Sequence, residues 1–477
     1  MGELLEKLKA YAESDYYPYH MPGHKRRLGG SVLSAVSGLD ITEIDGFDNL
    51  HEPTDIIKKI QQKSADIYGA EESFYLINGS TAGIISAIST AVPEGGKILM
   101  ARGCHRSAYH GAYLRGLQIR YLVAEIEPDF GCNLGMTSIQ VEQALTEDED
   151  IQAVFLVSPT YEGIVSDIGA IADVVHRKGI PLIVDEAHGA HFGFHPAWPK
   201  SSCSCGADIV IQSLHKTLPS PTQTAILHVN GKLVDRQRLK RFLNIYQSSS
   251  PSYLFMAAME EALDLVALKA DRLFGDFLRN WNIMLERLSE CHCLHFLQKA
   301  NMDIGKLVIA DKSGHMTGRQ LYESLLHTYH LQPEMAAGNY VLAMFTVGDT
   351  EEGYHRMTEA LLAIDEAIYS QYGTDMDEVA CGESKENESS KQLKGPKLPP
   401  HELSLKEAWE GEKEDVPLEE AKGRVAGEFI NLYPPGIPIL VPGECFTAEL
   451  CDYIQDCVTK GFHVQGMRQD NTVTVLK

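Results

Sequence analysis

Three short stretches combine residue types suited to covalent and acid–base chemistry. Ser213-Leu214-His215-Lys216 follows the apolar run DIVIQS (208–213). A lysine just past a strand end, flanked by serine and histidine, is placed to form a Schiff base while hydroxyl and imidazole groups hold a phosphate. Taken alone, such a lysine is as readily a solvated surface residue. Asn78-Gly79-Ser80-Thr81-Ala82-Gly83 follows FYLI and opens a helix-like segment. A Gly/Ser/Thr turn at a helix N-terminus offers free N–H groups, hydroxyls and a favourable dipole to a phosphate; the alternative is an ordinary N-cap. Asp185-Glu186-Ala187-His188 closes the run PLIV. An aspartate there can face a protonated ring nitrogen, with His188 reaching back to the same ligand, or it can simply cap a loop. The letters DEAH also spell a helicase box, but no G-x-x-x-x-G-K-[ST] occurs anywhere, which excludes P-loop nucleotide hydrolysis.

The elements that must position these residues are short and alternate in type. KILMA (97–101), IRYLVA (119–124), AVFLVS (153–158), PLIVDEA (181–187), DIVIQS (208–213) and TAILHV (224–229) each read as buried strands. TSIQVEQAL and IGAIADVVHRKG between them have helical spacing, the second closing on glycine. Such alternation predicts an α/β layer with a mostly parallel sheet and a ligand site at the strands' carboxyl ends. Two helical stretches, 253–269 and 271–290, come next, then strand-like runs at 303–310 and 339–347 and an amphipathic helix over 351–369, a smaller α+β unit. The polar span 373–400 reads as a linker or surface loop. In NLYPPGIPILVPGE (431–444) the prolines argue against a regular helix or a central strand. The expected division is an N-terminal segment (1–50), a large-domain core (51–250), a helical and small α+β unit (251–372), the polar span, and a C-terminal domain (401–477).

Composition narrows the function classes. Hydrophobic residues at 44% and charged residues at 23% describe a globular chain of 477 residues, long enough for several domains. Forty-two Lys and Arg against 66 Asp and Glu give a net charge of −24, without the basic face of a nucleic-acid binder. No signal-peptide or membrane-length apolar run is present, so a cytoplasmic location is expected. Ten cysteines are too sparse for a disulfide scaffold, and the C-x-C pairs 203/205 and 291/293 lack structural zinc spacing. No metal is expected.

A phosphate turn, an acid after one strand and a lysine after another, in that order, describe a site for pyridoxal 5′-phosphate (PLP). YHMPGHK (19–25), FYLINGSTAG (74–83), CHRSAYH (104–110), SPTYEG (158–163), DEAHGAH (185–191), SLHKTLPSPTQTA (213–225) and YPPGIPILVPGE (433–444) together resemble the Orn/Lys/Arg decarboxylase family. The likeness is to its short form, without the N-terminal receiver-like domain, because MPGHK already begins at residue 21.

The resemblance implies a fold type I PLP enzyme that decarboxylates arginine, lysine or ornithine, arginine being favoured, to the polyamine-related amine and CO₂. It implies Lys216 as the Schiff-base lysine and Ser80, Thr81, Ser213 and His215 at the phosphate. His105 would stack on the ring, Asp185 would pair with the ring nitrogen, and His188 would lie on the ring-oxygen side. The proton returned to Cα comes from His215 or Lys216. Glu444 resembles the acidic residue that holds the substrate's distal cation, and His24 and Lys25 either line the site or sit on a Pro-Gly turn that serves structure alone. Glu43, Asp45 and Asp48 either add negative potential at the entrance or are solvated loop charges. Ser248, Ser249 or Ser250 completes the phosphate site of a partner subunit, so a homodimer or dimer of dimers with shared active sites is expected. Rival readings are another fold type I activity, an aminotransferase or ketosynthase, and a non-catalytic regulator that binds PLP or polyamine.

Overall fold

The computed structural model describes residues 2–26, 32–379, 397–433, 437–459, 463–468 and 470–477. Its centre is a seven-stranded sheet of β1 (Glu72–Leu76), β2 (Lys97–Ala101), β3 (Gln118–Leu122), β4 (Ile151–Val157), β5 (Leu182–Asp185), β6 (Ile209–Gln212) and β7 (Ala225–Val229). The order is β1-β7-β6-β5-β4-β2-β3. The contiguous pairs from β6 to β3 are parallel. Strand β7 runs antiparallel to both β6 and β1. Both faces of the sheet are covered, which is why its strands read as continuous apolar runs. Leu99, Val154, Val184 and Val210 pack into one core layer, and Ile98, Phe155, Ile183 and Ile211 into the other.

This topology gathers the chemistry. Strands β1, β2, β4, β5 and β6 share a direction, so the loops after them emerge along one edge. Those loops carry Asn78–Thr81, His105, Tyr161, Asp185–His188 and Ser213–Lys216.

A second, antiparallel sheet has the order β10-β11-β9-β8, from β8 (Leu294–Phe296), β9 (Lys306–Asp311), β10 (Met335–Ala337) and β11 (Tyr340–Met344). The helix Tyr253–Leu288 leads into it and bends at Lys269 (φ −127°, ψ 19°), between the two expected helical stretches. The helix after β11 spans Glu351–Val379 and runs beyond the expected 369, so 373–379 is helical rather than linker. The rest of the expected linker up to residue 396 lies outside the described residues.

The C-terminal part has its own core around Phe446, Leu450, Ile454 and Val475. Its sheets pair β12 (Lys413–Pro417) with β16 (Thr472–Leu476), and β13 (Ile430–Tyr433) centrally between β14 (Ile437–Leu440) and β15 (His463–Gln465). The expectation of no central strand within 431–444 is corrected here. Strand β13 ends before the first proline of the run, and Pro438 lies on the edge strand β14, where a missing N–H is tolerated.

Asp48 is neither an entrance charge nor a solvated loop charge. Its carboxylate accepts from the backbone N–H groups of Asn49 (2.9 Å), Thr54 (2.9 Å), Asp55 (2.9 Å) and Ile57 (3.0 Å), at the start of the helix Ile56–Tyr68. Partial burial works against its charge, but the backbone donors outweigh it and hold its pKa below the usual value. Asp48→Ala is expected to cost about 1–2 kcal/mol of stability, measurable by urea unfolding. The contribution is fully present above the unfolded pKa of about 4 and is lost as pH falls through the lower folded value. The stability difference between wild type and Asp48→Ala should therefore shrink in acid.

Candidate active site

Lys216 sits in the single helical turn Leu214–Thr217, directly after β6. The Oγ atoms of Ser213 and Ser80 lie 2.7 Å apart, joining the lysine loop to the turn that opens the helix Gly79–Ala91. Gln223 braces the same junction, its amide donating to the Ile77 carbonyl at 2.7 Å. Thr81 is exposed in the first turn of that helix. Two hydroxyls and the free N–H groups of a 13-residue helix thus converge on one spot, a donor set suited to a phosphate dianion. His215 donates from Nδ1 to the Thr224 carbonyl at 2.9 Å, so in its neutral form Nε2 is the acceptor.

Asp185 terminates β5 and is 3% exposed. Among the described contacts its carboxylate accepts from Ala187 N–H at 3.1 Å. Burial raises its pKa, opposed by the charge of Lys216. A buried carboxylate with spare acceptor capacity suits a cationic N–H of a ligand. His105 caps the helix Arg106–Arg115, its Nδ1 accepting from Ser107 N–H at 3.2 Å. Although the residue is exposed, protein surrounds it at longer range, and that desolvation, with the Lys216 charge, pushes its pKa down to about 4. At neutral pH the ring is an uncharged plane suited to stacking.

His188 is the hub. Its Nε2 lies 3.1 Å from Lys216 Nζ, and its Nδ1 lies 3.2 Å from Nζ of a second lysine, Lys306. The Tyr161 ring packs against it at 4.6 Å. Lys306, the first residue of β9, is 2% exposed. No motif announces it; the one available signal was a cation inside the apolar run KLVIA. Gly163 admits its stem: φ is +100°, and a Cβ there would stand 2.6 Å from Lys306 Cγ. Gly163→Ala is expected to destabilise the fold by about 1–3 kcal/mol and to displace Lys306, checked by thermal unfolding.

Other expected residues sit elsewhere. Glu444 is corrected most clearly. It is 1% exposed, and its two carboxylate oxygens accept from Arg102 Nη1 (2.6 Å) and Nη2 (2.8 Å), with Val441 N–H adding a third bond at 2.8 Å. A carboxylate so committed is not open to a substrate cation. His24 is bound to Asp40 at 3.2 Å and accepts from Arg26 N–H at 3.0 Å, and no described contact links it to Lys216. Lys25 Nζ donates to the His20 carbonyl. Ser248, Ser249 and Ser250 are exposed. Ser248 N–H donates to Asn78 Oδ1 at 3.0 Å, so the segment borders this chain's own phosphate turn. Glu43 and Asp45 are exposed loop charges.

Comparison with known families fits this geometry. Residues 3–307 match the model for the Orn/Lys/Arg decarboxylase major domain, and residues 383–471 match that for the family's C-terminal domain. The chain belongs to the Orn/Lys/Arg decarboxylase family. An arginine decarboxylase of Bacillus subtilis is 30% identical over 98% of this chain and 96% of its own length. The constitutive lysine decarboxylase of Escherichia coli is 23% identical over 93% of this chain and 73% of its own. Among solved structures, the Francisella novicida lysine decarboxylase superposes with a TM-score of 0.84 at 19% identity, covering all of this chain and 81% of that one. The chain has the α/β layer with a mostly parallel sheet expected from its strand pattern, and the fold type I architecture that its resemblance to this family implied. No helix among the described residues is long and apolar enough to cross a membrane.

Proposed function

We propose that this decarboxylase uses PLP at Lys216 to remove the α-carboxylate of a basic amino acid, arginine foremost, giving agmatine and CO₂. The observation that carries the reading is the convergence of Lys216, Asp185 and the Ser80–Ser213 pair at one sheet edge. Arginine is favoured because full-length relatives named arginine decarboxylase stand at 28–30% identity, and those named lysine decarboxylase at 21–23%.

The donor chemistry suits PLP group by group. Ser80, Thr81 and Ser213 would hold the phosphate, Asp185 the pyridine N–H, His105 one ring face, and Lys216 the aldehyde carbon. When bound, the cofactor supplies an electron sink for the pair released as the Cα–carboxylate bond breaks. The protein's part is electrostatic and positional. Asp185, buried at the end of β5, would accept from the pyridine N–H and favour a proton on that nitrogen. His105, uncharged, leaves that balance undisturbed, and His188 orients the Lys216 amine. Lys216 or His215 returns the proton to Cα. We further propose a cytoplasmic homodimer, or a dimer of dimers, in which the exposed Ser248–Ser250 segment completes the phosphate site of the partner subunit.

The reading is tested by kcat/KM for arginine, lysine and ornithine with purified, PLP-loaded protein. Arginine is expected to lead by at least about tenfold, on the order of the 1.4 kcal/mol that one good polar contact contributes. Turnover of none of the three would overturn it.

A further inference from the structure

With Glu444 held by Arg102, the distal cation of a basic amino acid needs another partner. That partner must be a carboxylate open to solvent, because the ligand arrives from water. It must also stand near Lys216 without touching it, because several bonds separate the distal cation from the amino group that Lys216 exchanges with.

The Tyr161 side chain leads to such a group. Its ring packs on His188 at 4.6 Å, and His188 Nε2 lies 3.1 Å from Lys216 Nζ. At its other end the Tyr161 hydroxyl donates to Glu334 Oε1. Two side chains therefore connect Glu334 to the lysine, and the charge of Glu334 reaches both Lys216 and Lys306. The other carboxylates around these amines are Asp185, Glu162 and Asp303, all at most 3% exposed. Asp185 stands where the ring nitrogen is expected. Glu162 accepts from the Tyr340 hydroxyl at 2.6 Å, and Asp303 accepts from Gly305 N–H at 2.9 Å and contacts His191 Nε2 at 3.1 Å. Glu334 is exposed, and among the described residues the Tyr161 hydroxyl is the one hydrogen-bond partner of its carboxylate.

The backbone beneath it is fixed. Glu334 directly precedes β10, and its N–H donates to the Leu342 carbonyl of β11 at 2.9 Å. A single hydroxyl donor on Oε1 leaves lone pairs on both oxygens, enough for two parallel N–H···O bonds from a guanidinium, whereas an ammonium makes a point contact. A ligand lying over the carboxylate also displaces water from it, which strengthens the pair relative to an exposed one.

We propose that Glu334 is the specificity-determining residue that binds the distal cation of the substrate, with Tyr161 holding its carboxylate in place. The inference rests on the reading of this site as one for a basic amino acid, and it names the group that makes it so. It also places that group on the second sheet, facing the lysine loop of the first.

The test is the binding of two amines to PLP-loaded full-length protein, followed by calorimetry. Agmatine ends in a guanidinium; N-carbamoylputrescine has the same shape with an uncharged ureido end. Wild type is expected to bind agmatine at least about tenfold more tightly than N-carbamoylputrescine. Glu334→Gln is expected to lose about tenfold for agmatine and less than about twofold for N-carbamoylputrescine. The exchange is nearly isosteric at an exposed position, so circular dichroism should match wild type. Equal losses for both amines would leave Glu334 a structural role and overturn the proposal, as would an unchanged affinity for agmatine or a wild type that does not distinguish the two. Neither amine has a carboxylate to lose, so binding and turnover fail separately. Protein that binds agmatine through Glu334 yet decarboxylates none of the three amino acids sinks the reading and keeps the inference. Protein that decarboxylates arginine, while Glu334→Gln binds agmatine normally, does the reverse.

Discussion

Lys216→Ala is expected to lower kcat for the favoured substrate by at least about a thousandfold while leaving the fold intact. Removing a group that acts covalently costs orders of magnitude, because no neighbouring side chain stands at the same place to substitute for it. Lys216 sits in one short turn between β6 and β7, and its amine contacts only His188 among the described hydrogen bonds. Truncation therefore leaves the sheet and both core layers untouched. Circular dichroism and thermal unfolding should match wild type, and borohydride reduction in the presence of PLP should no longer attach cofactor to this peptide. Retention of activity would remove Lys216 from the chemistry; loss of the native spectrum would show that the turn itself holds the fold together.

Glu444→Leu is expected to destabilise the protein by about 3–5 kcal/mol and to leave the ranking of arginine, lysine and ornithine unchanged. The carboxylate and Arg102 are both buried and meet through two short bonds, with Arg102 also lying 4.6 Å from the Tyr121 ring centroid. Removing one partner strands the other's charge away from water, which costs far more than the pair contributes by existing. The double variant Arg102→Met with Glu444→Leu should therefore recover most of the loss, since it buries no unpaired charge. Denaturant unfolding of the two single variants and the double variant closes this cycle. A single variant of normal stability with a reordered substrate ranking would restore Glu444 as the contact to the distal cation.

These two predictions mark where the sequence was readable and where it was not. Six of the seven strands of the central sheet were legible to within about two residues, because a strand buried on both faces has no choice but to be a short apolar run between turn residues; β1 was read only as the apolar run FYLI. Ser80, Asp185, His188 and Ser213 were legible for a related reason: each lies within a few residues of a strand's carboxyl end, so a one-dimensional pattern fixes its three-dimensional neighbourhood. What escaped depends on distant pairing. Nothing local to VPGE reveals that Arg102, 342 positions earlier, takes the carboxylate. Nothing near Asp48 shows that its oxygens fold forward onto N–H groups up to nine residues on. Lys306 was the hardest, because burying a lysine is costly, and the carboxylates and imidazole that offset it come from other strands and loops.

The central claim is that PLP at Lys216 drives loss of the α-carboxylate, and the most direct test is the fate of that carbon. PLP-loaded protein is incubated with arginine carrying ¹³C in its carboxyl group, and the gas phase and the soluble products are analysed together. The account predicts labelled CO₂ and unlabelled agmatine in equal amounts, with neither formed by Lys216→Ala. Label retained in a keto acid or any other soluble product, with no labelled CO₂, would contradict it.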